Sequence, residues 1–391
     1  MQNKLFTILA AAALAACGDQ DPVALAPAGD MAPLLSAAPG AGIEDAYIVV
    51  LREGADPRSV AALVGASPRH VYGAALNGFA GTLNAGQVRA LRRDPNVAFV
   101  EQDQAVRAFA TQTGATWGID RTDQRSLPLS GTFTYAATGA GVTAYIIDTG
   151  IDYAHVEFGN RARFGFDAFL LGNGDDCNGH GTHVAGTVGG TLYGIAKQVA
   201  LVAVRVLDCT GAGSTSGVIA GVDWVTRNHR KPAVANMSLG GGASSSLDQA
   251  VDNSIKAGVS YAIAAGNGDA LGNAQDACTV SPARVAAAMT IGATDKTDAK
   301  ASWSNYGNCV DWFAPGVGIT SAWFGLLNND IKTISGTSMA TPHVAGVAAL
   351  YLQGNPGASP ATVTQALRDA TTKGLVTSSR TANNHLLYTA W

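Results

Sequence analysis

Five stretches of this chain, residues 142–147, 201–207, 233–237, 259–265 and 289–291, are almost continuously apolar. A strand with one wet face alternates apolar and polar residues, so a strand without alternation must be covered on both faces. Helical stretches lie between these runs, at 218–227 and 247–257. The second opens with a Ser246-x-x-Gln249 capping pattern and closes at Gly258. This order predicts an α/β domain, a doubly wound and mostly parallel sheet with helices on both faces. Sites in such sheets lie at the carboxyl ends of the strands, which directs attention to the residues just past each run. The chain has 391 residues, 47% hydrophobic and 14% charged, enough for a large core and far from a disordered composition. Its formal net charge is −4 and it carries no basic run, which argues against a nucleic-acid partner.

The N-terminus is organised differently. Lys4 is followed by an apolar run over 5–14 and then by Leu14-Ala15-Ala16-Cys17. A membrane span needs about 20 residues, so residues 1–17 read as a signal peptide and predict export. Cys17 stands where a bacterial lipobox would place a lipidated cysteine, so a lipid-anchored precursor is expected. Residues 18–44, rich in Ala, Pro and Gly, read as a flexible linker. Residues 45–109 read as a small ferredoxin-like α+β domain of order βαββαβ. Asp56-Pro57 supplies a cap and a first-turn proline, and Asn84 with Gln87 forms a capping pair for the second helix.

Several residues at element boundaries are suited to chemistry. Asp148 follows the first apolar run, and His180 and His183 stand where a loop turns into an apolar helix. Asn267 follows the fourth run, and Ser338 precedes a stretch, 344–352, that is apolar on every face. The unpaired N–H groups at such a helix start favour negative charge on a nearby oxygen. Pro342 is expected in or near the first turn, where a missing N–H disturbs least. A serine becomes a nucleophile only with a base beside it. The residues alone leave His180 and His183 open for that role. His343 is five positions from Ser338, about 140° around a shared helix, and is assigned to packing.

The motifs Ile147-Asp148-Thr149-Gly150, His180-Gly181-Thr182-His183-Val184-Ala185-Gly186 and Gly336-Thr337-Ser338-Met339-Ala340-Thr341-Pro342 resemble those of the subtilisin-like serine proteases. Trp117-Gly118-Ile119-Asp120-Arg121, Asn236-Met237-Ser238-Leu239-Gly240 and Ser302-Trp303-Ser304-Asn305-Tyr306-Gly307 narrow the likeness to the proteinase K branch and its aqualysin-like members. The resemblance covers 110–391 and implies a catalytic domain in which Asp148, His180 and Ser338 form the triad. It implies Asn267 as oxyanion donor together with the Ser338 N–H. Substrate would bind extended between Gly211-Ala212-Gly213 and Ser238-Leu239-Gly240, with Ala264, Ala265 and Gly266 walling a pocket for an apolar or aromatic residue before the cut.

Residues 45–109 resemble the family's inhibitory propeptide, which acts on its own chain as inhibitor and folding aid. Ala110-Thr111-Gln112 resembles a mature N-terminus, so self-cleavage is expected after Phe109. The implied partners are protein or peptide substrates, and the mature enzyme is expected to be a secreted monomer. Cys177, Cys209, Cys278 and Cys309 in an exported chain suggest two disulfides with three possible pairings. The resemblance favours Cys177–Cys209 and Cys278–Cys309. It implies no organic cofactor but structural calcium, in one site at Asp311 with the Ala286 and Ala288 carbonyls and in another at Asp120, Asp123 and Gln124.

Overall fold

The structure, a computed structural model, describes residues 31–37, 42–104, 110–169 and 172–391. Cys17 with the rest of the leader, and Phe109 with the four residues before it, lie outside that set. The chain divides into two compact units, Met1–Val106 and Arg107–Trp391.

In the first unit the elements are β1 (Leu34–Leu35), β2 (Gly42–Leu51), α1 (Pro57–Leu63), β3 (His70–Tyr72), β4 (Gly78–Thr82), α2 (Ala85–Leu91) and β5 (Val97–Gln104). From β2 onward this is the βαββαβ order read from the sequence. Asp56 caps α1 by accepting the Ser59 N–H at 2.7 Å. Asn84 and Gln87 cap α2 reciprocally, each side chain accepting the other's N–H at 2.9 Å. The linker reading of 18–44 is corrected for its described part. The sheet runs β1-β5-β2-β4-β3, with Leu34 and Leu35 paired in parallel to Val100 and Glu101. Ala32 is buried and donates its N–H to the Arg92 carbonyl at 2.6 Å, while Val100 N–H reaches Pro33 O at 2.9 Å. Without β1 the outer edge of β5 would present unpaired backbone groups. Composition cannot reveal a pairing partner more than sixty residues away.

The second unit begins with β6 (Ala110–Thr113), α3 (Trp117–Thr122) and β7 (Thr132–Tyr135), in which β6 and β7 pair antiparallel. There follow β8 (Thr143–Asp148), β9 (Ala162–Asp167), α4 (His180–Gly189), β10 (Ala200–Arg205), α5 (Thr215–Asn228), β11 (Ala233–Met237), β12 (Gly241–Gly242), α6 (Ser245–Ala257) and β13 (Ser260–Ala264). The chain continues through β14 (Val280–Ser281), β15 (Met289–Thr294), β16 (Trp312–Pro315), β17 (Ile319–Ala322), β18 (Ile331–Ile334), α7 (Thr337–Gly354) and α8 (Pro360–Ala370). Seven strands form one sheet in the order β16-β15-β13-β11-β8-β10-β9, every neighbouring pair parallel. All six residues of β8 are buried, and they alternate between two cores. Ala144 and Ile146 pack with α4 and α7 on one face; Tyr145 and Ile147 pack with α5 and α6 on the other. That double cover is why the strand reads as unbroken apolar sequence. Neither edge strand is among the five runs: β9 has a mixed, partly exposed sequence, and β16 is apolar and buried but only four residues long.

Two local expectations shift. Ser244, rather than Ser246, caps α6: its extended backbone is fixed by a 2.8 Å bond from its N–H to the Ser281 hydroxyl, which leaves Ser246 inside the helix. Gly258 closes that helix in the left-handed conformation, φ 111°, as expected. Pro342 lies beyond the first turn, because α7 already begins at Thr337. The helix bond it cannot donate would have gone to the Ser338 carbonyl, four residues back. The Ser238 hydroxyl donates to that carbonyl instead, at 2.8 Å. Both disulfides form as the resemblance implied, Cys177–Cys209 and Cys278–Cys309, closing separations of 32 and 31 residues. In the chain-entropy account each contributes about 3.7 kcal/mol.

Candidate active site

Asp148 ends β8 and is fully buried. Its Oδ1 accepts the Thr149 N–H at 2.8 Å and faces His180 Nδ1 at 2.7 Å, while Oδ2 has no protein partner. His180 opens α4 and is half-buried, with its ring close enough to solvent to meet a substrate. Burial alone would push its pKa down. The Asp148 charge, the hydrogen bond to Asp148 and the Asp176 charge outweigh that effect, and the pKa is raised above the usual histidine value.

The structure separates His180 from His183, which the sequence could not. His183 is buried and its Nε2 meets the Ile319 and Lys332 carbonyls at 3.0 and 3.2 Å. Burial holds its pKa down at about 4. His343 is also buried, with Nδ1 donating to the Met339 carbonyl at 2.9 Å and a pKa pushed down to about 4 by burial.

Ser338 is the second residue of α7, and its hydroxyl donates to the Ser238 carbonyl at 3.0 Å. The residue before it anchors Asn267. Thr337 N–H and Thr337 Oγ1 both donate to Asn267 Oδ1 at 2.8 Å. With its oxygen held on both bonds, the Asn267 amide presents Nδ2 on its other side. A Cβ placed on Gly336 would lie 3.5 Å from both Asn267 Nδ2 and Ser338 N, so these two donors border one small space that glycine leaves open. Two N–H donors converging beside a nucleophile are the arrangement that stabilises an oxyanion.

Two cavities adjoin these residues. One, of about 490 Å³, is lined by His180, by Gly211, Ala212 and Gly213 on one side, and by Ser238, Leu239 and Gly240 on the other. Asp208 shapes the first wall, accepting Thr210 and Ala212 N–H groups at 2.8 and 3.1 Å. The second, about 350 Å³, is lined by Ala264, Gly266, Asn267, Asn305, Thr337 and Ser338 among others. Ala265 does not wall it, contrary to expectation. Just past the end of β13, its side chain is buried in the core cluster that holds Phe313, and its carbonyl accepts Asn305 Nδ2 at 2.8 Å.

Four residues to which the sequence reading gave no role are prominent here. Asn305 is buried, and its Oδ1 accepts the Gly268 and Gln275 N–H groups at 3.0 and 2.9 Å, fixing the loop over the second cavity. Thr337 orients Asn267. Thr149 and Asp176 brace the segment that carries His180. An asparagine or aspartate in a loop reads as a turn former, and only the distant donors reveal otherwise.

The two expected calcium sites differ. At Asp311, Oδ1 pairs with Arg368 Nη2 at 2.5 Å and Oδ2 accepts the Thr290 N–H at 2.9 Å. Burial still pushes the Asp311 pKa up despite Arg368, so a cation held by Asp311 with the Ala286 and Ala288 carbonyls would have to displace that guanidinium. At the other, Asp123 Oδ1 is buried with no partner, and burial, with repulsion from Asp120, pushes the Asp123 pKa up to about 6. Asp120 accepts from Ser130 and Gly131, and Gln124 Oε1 accepts the Ser130 N–H. A buried carboxylate oxygen that lacks a donor, next to a second carboxylate, suits a hard cation. Among the described residues no cluster of three or more His, Cys, Asp or Glu side chains could hold a metal.

Comparison with known proteins agrees with this geometry. Residues 139–387 match the subtilase family, and residues 46–109 match peptidase inhibitor I9. An extracellular serine proteinase of Thermus sp. (strain Rt41A) is 52% identical over 98% of this chain and 98% of its own length. An alkaline serine exoprotease A of Vibrio alginolyticus is 55% identical over 81% of this chain and 59% of its own. A crystal structure of a cold adapted subtilisin-like serine proteinase, 53% identical, superposes with a TM-score of 0.68 over 71% of this chain and 100% of that one. A seven-stranded parallel sheet within the subtilase match over 139–387, preceded by a unit matching peptidase inhibitor I9, identifies the chain as a member of the subtilase family.

Proposed function

We propose that this serine endopeptidase works through Asp148, His180 and Ser338 and is made as a zymogen that cuts itself after Phe109. The observation that carries the proposal is the 2.7 Å contact between Asp148 and His180 Nδ1, beside a serine at a helix N-terminus. The Ser338 hydroxyl turns from the Ser238 carbonyl to His180 Nε2 and gives up its proton as Oγ attacks the substrate carbonyl carbon. Hydrogen bonds of this kind often tighten only when substrate is present. Asp148 holds the imidazole in the tautomer that accepts at Nε2 and stabilises the imidazolium that forms. The negative oxygen sits between Asn267 Nδ2 and the Ser338 N–H. His180 then protonates the leaving amine, and a water repeats the sequence to release the acid. Turnover requires neutral His180, so kcat/KM rises with pH through a midpoint above the usual histidine value.

The two cavities suit an extended polypeptide whose backbone bonds the Gly211 to Gly213 and Ser238 to Gly240 segments. An apolar or aromatic side chain before the cut would enter the pocket beside Ala264 and Gly266. Residues 45–109 would act as inhibitor and folding aid, consistent with the I9 match, and 110–391 as the mature monomer, which starts at β6. The relative named extracellular supports export of this chain. Cleavage after Phe109 would free the mature domain from any lipid on Cys17. Where calcium binds, Asp120, Asp123 and Gln124 would hold it; its contribution is to tie α3 to the Ser130 loop, with no part in the bond-breaking step.

The test is a fluorophosphonate probe with intact mass. The expected result is one label on Ser338 at neutral pH, on a chain that begins at Ala110, and no self-processing in Ser338→Ala. A mature chain that takes no label would sink the protease mechanism, and one that begins far from Ala110 would sink the junction.

A further inference from the structure

The N-terminus of α4 carries His180, yet its N-cap residue, Gly179, has no side chain to offer. The first donors of that helix are nevertheless all bonded. His180 N–H reaches Asn178 Oδ1 at 3.2 Å, Gly181 N–H reaches Thr149 Oγ1 at 2.8 Å, and Thr182 N–H reaches Asp176 Oδ2 at 2.9 Å. Asp176 does more than this one cap. Its Oδ1 accepts the Thr149 hydroxyl and the N–H groups of Asn178 and Gly179, each at 2.9 Å; its Oδ2 also accepts the Thr182 hydroxyl at 2.7 Å. The residue is 7% exposed, and no ion pair compensates its charge among the described residues. Five neutral donors hold a buried carboxylate.

Thr149 connects this carboxylate to the other one. Its N–H donates to Asp148 Oδ1 at 2.8 Å and its hydroxyl donates to Asp176 Oδ1. The strand tip that presents Asp148 and the helix start that presents His180 are therefore fastened to a common anion. Building on the mechanism proposed above, we propose that Asp176 is a positioning residue for His180. It locks the helix start against the strand tip, and it supplies a second fixed negative charge to the imidazolium formed in the reaction.

The charges around His180 make the electrostatic half separable. Asp148 faces it from β8 and Asp176 from the loop before α4, and both favour the protonated ring. His183, one turn along α4, is held neutral by burial. Asp152, whose N–H bonds Thr182 Oγ1, is half-buried, and Asp175 is exposed. Lys332 lies 4.0 Å over the Trp323 ring, which packs on Gly179. Removing the Asp176 charge leaves the others in place.

The experiment uses the mature form of the full-length gene product, with active sites counted by burst titration and a fixed peptide amide as substrate. Asp176→Asn should lower kcat/KM about 10–100-fold with KM nearly unchanged, and it should move the acidic limb of the pH profile to lower pH. Thr182→Val removes one donor but keeps the charge. It should lower kcat/KM severalfold with the limb in place, and Thr182→Ser should recover the rate. A loss of melting temperature with an unmoved limb, or a loss confined to KM, would reduce Asp176 to a structural cap. If Asp176→Asn yields no mature protein, a Thr182→Val enzyme with full kcat/KM overturns the proposal. A wild-type enzyme that takes no fluorophosphonate would instead fail the mechanism on which this rests.

Discussion

Gly336→Ala tests whether the space between Asn267 Nδ2 and the Ser338 N–H is an oxyanion site. The backbone there is extended, φ 166° and ψ 160°, a conformation open to any residue. The nearest atoms to an added Cβ are Asn267 Nδ2 and Ser338 N at 3.5 Å and Met339 Sδ at 3.6 Å, all ordinary contacts. The methyl should therefore cost little stability, within about 1 kcal/mol. It would, however, occupy the space in which an oxyanion must come to about 2.7–3.1 Å from both donors. Losing one donor of this kind typically costs about 10²–10³ in turnover, roughly 2.7–4 kcal/mol, and the methyl obstructs two. We expect the rate of fluorophosphonate labelling at Ser338, which needs the same donors, to fall by at least about a hundredfold. The melting temperature should stay within a few degrees of wild type. Labelling is read only on chains whose mass shows residues 1–109 removed, so that an inhibitor still in place cannot masquerade as lost chemistry. A Gly336→Ala protein that labels within threefold of wild type would refute the assignment of Asn267 and Ser338 N–H as joint donors.

Three further perturbations follow from the same contacts. Ser238→Ala leaves the Ser338 carbonyl, already abandoned by Pro342, without a donor, at a cost of about 1–3 kcal/mol in urea unfolding; the penalty should shrink when Pro342→Ala restores a helix N–H, and an unchanged penalty would dismiss the link. Calcium should raise the melting temperature at neutral pH in wild type but not in Asp123→Asn. Without the ion, the raised Asp123 pKa means a stability contribution that is present near pH 4 and lost as pH rises through about 6. Calcium stabilisation should therefore weaken below that pH, as calorimetry in buffer with and without chelator can check. Deleting residues 31–37 in the unprocessed Ser338→Ala chain should speed hydrogen exchange at the Val100 amide, which now bonds Pro33 O, and leave β4 unaffected; equal protection would mean that β1 contributes nothing.

What the sequence made legible was whatever depends on neighbours along the chain. Period and composition exposed β8, β11 and β13, because double burial removes polar residues from every position. The caps at Asp56 and Asn84 were readable for the same reason: donor and acceptor lie within three residues. Partnerships across the fold left no such trace. His180 and His183 sit three apart on one helix with similar surroundings in sequence, and only the position of Asp148 against the Ile319 carbonyl tells them apart. Pro342 was expected in or near the first turn, and what makes it tolerable beyond that turn, the Ser238 hydroxyl, is a hundred residues from the carbonyl it serves. The pairing of Asp311 with Arg368, 57 residues on, was equally invisible. Asp176 received no role from the sequence, because the tie that connects it to the triad, the Thr149 hydroxyl, comes from the end of β8, 27 residues earlier. These partnerships turn on polar groups that meet across the fold. Hydrophobic burial is non-directional and tolerant, so a pattern suffices to forecast it. A buried carboxylate or amide needs specific donors at specific distances. An active centre concentrates such groups, and for this chain it is therefore both the most recognisable part by motif and the least derivable part by pattern.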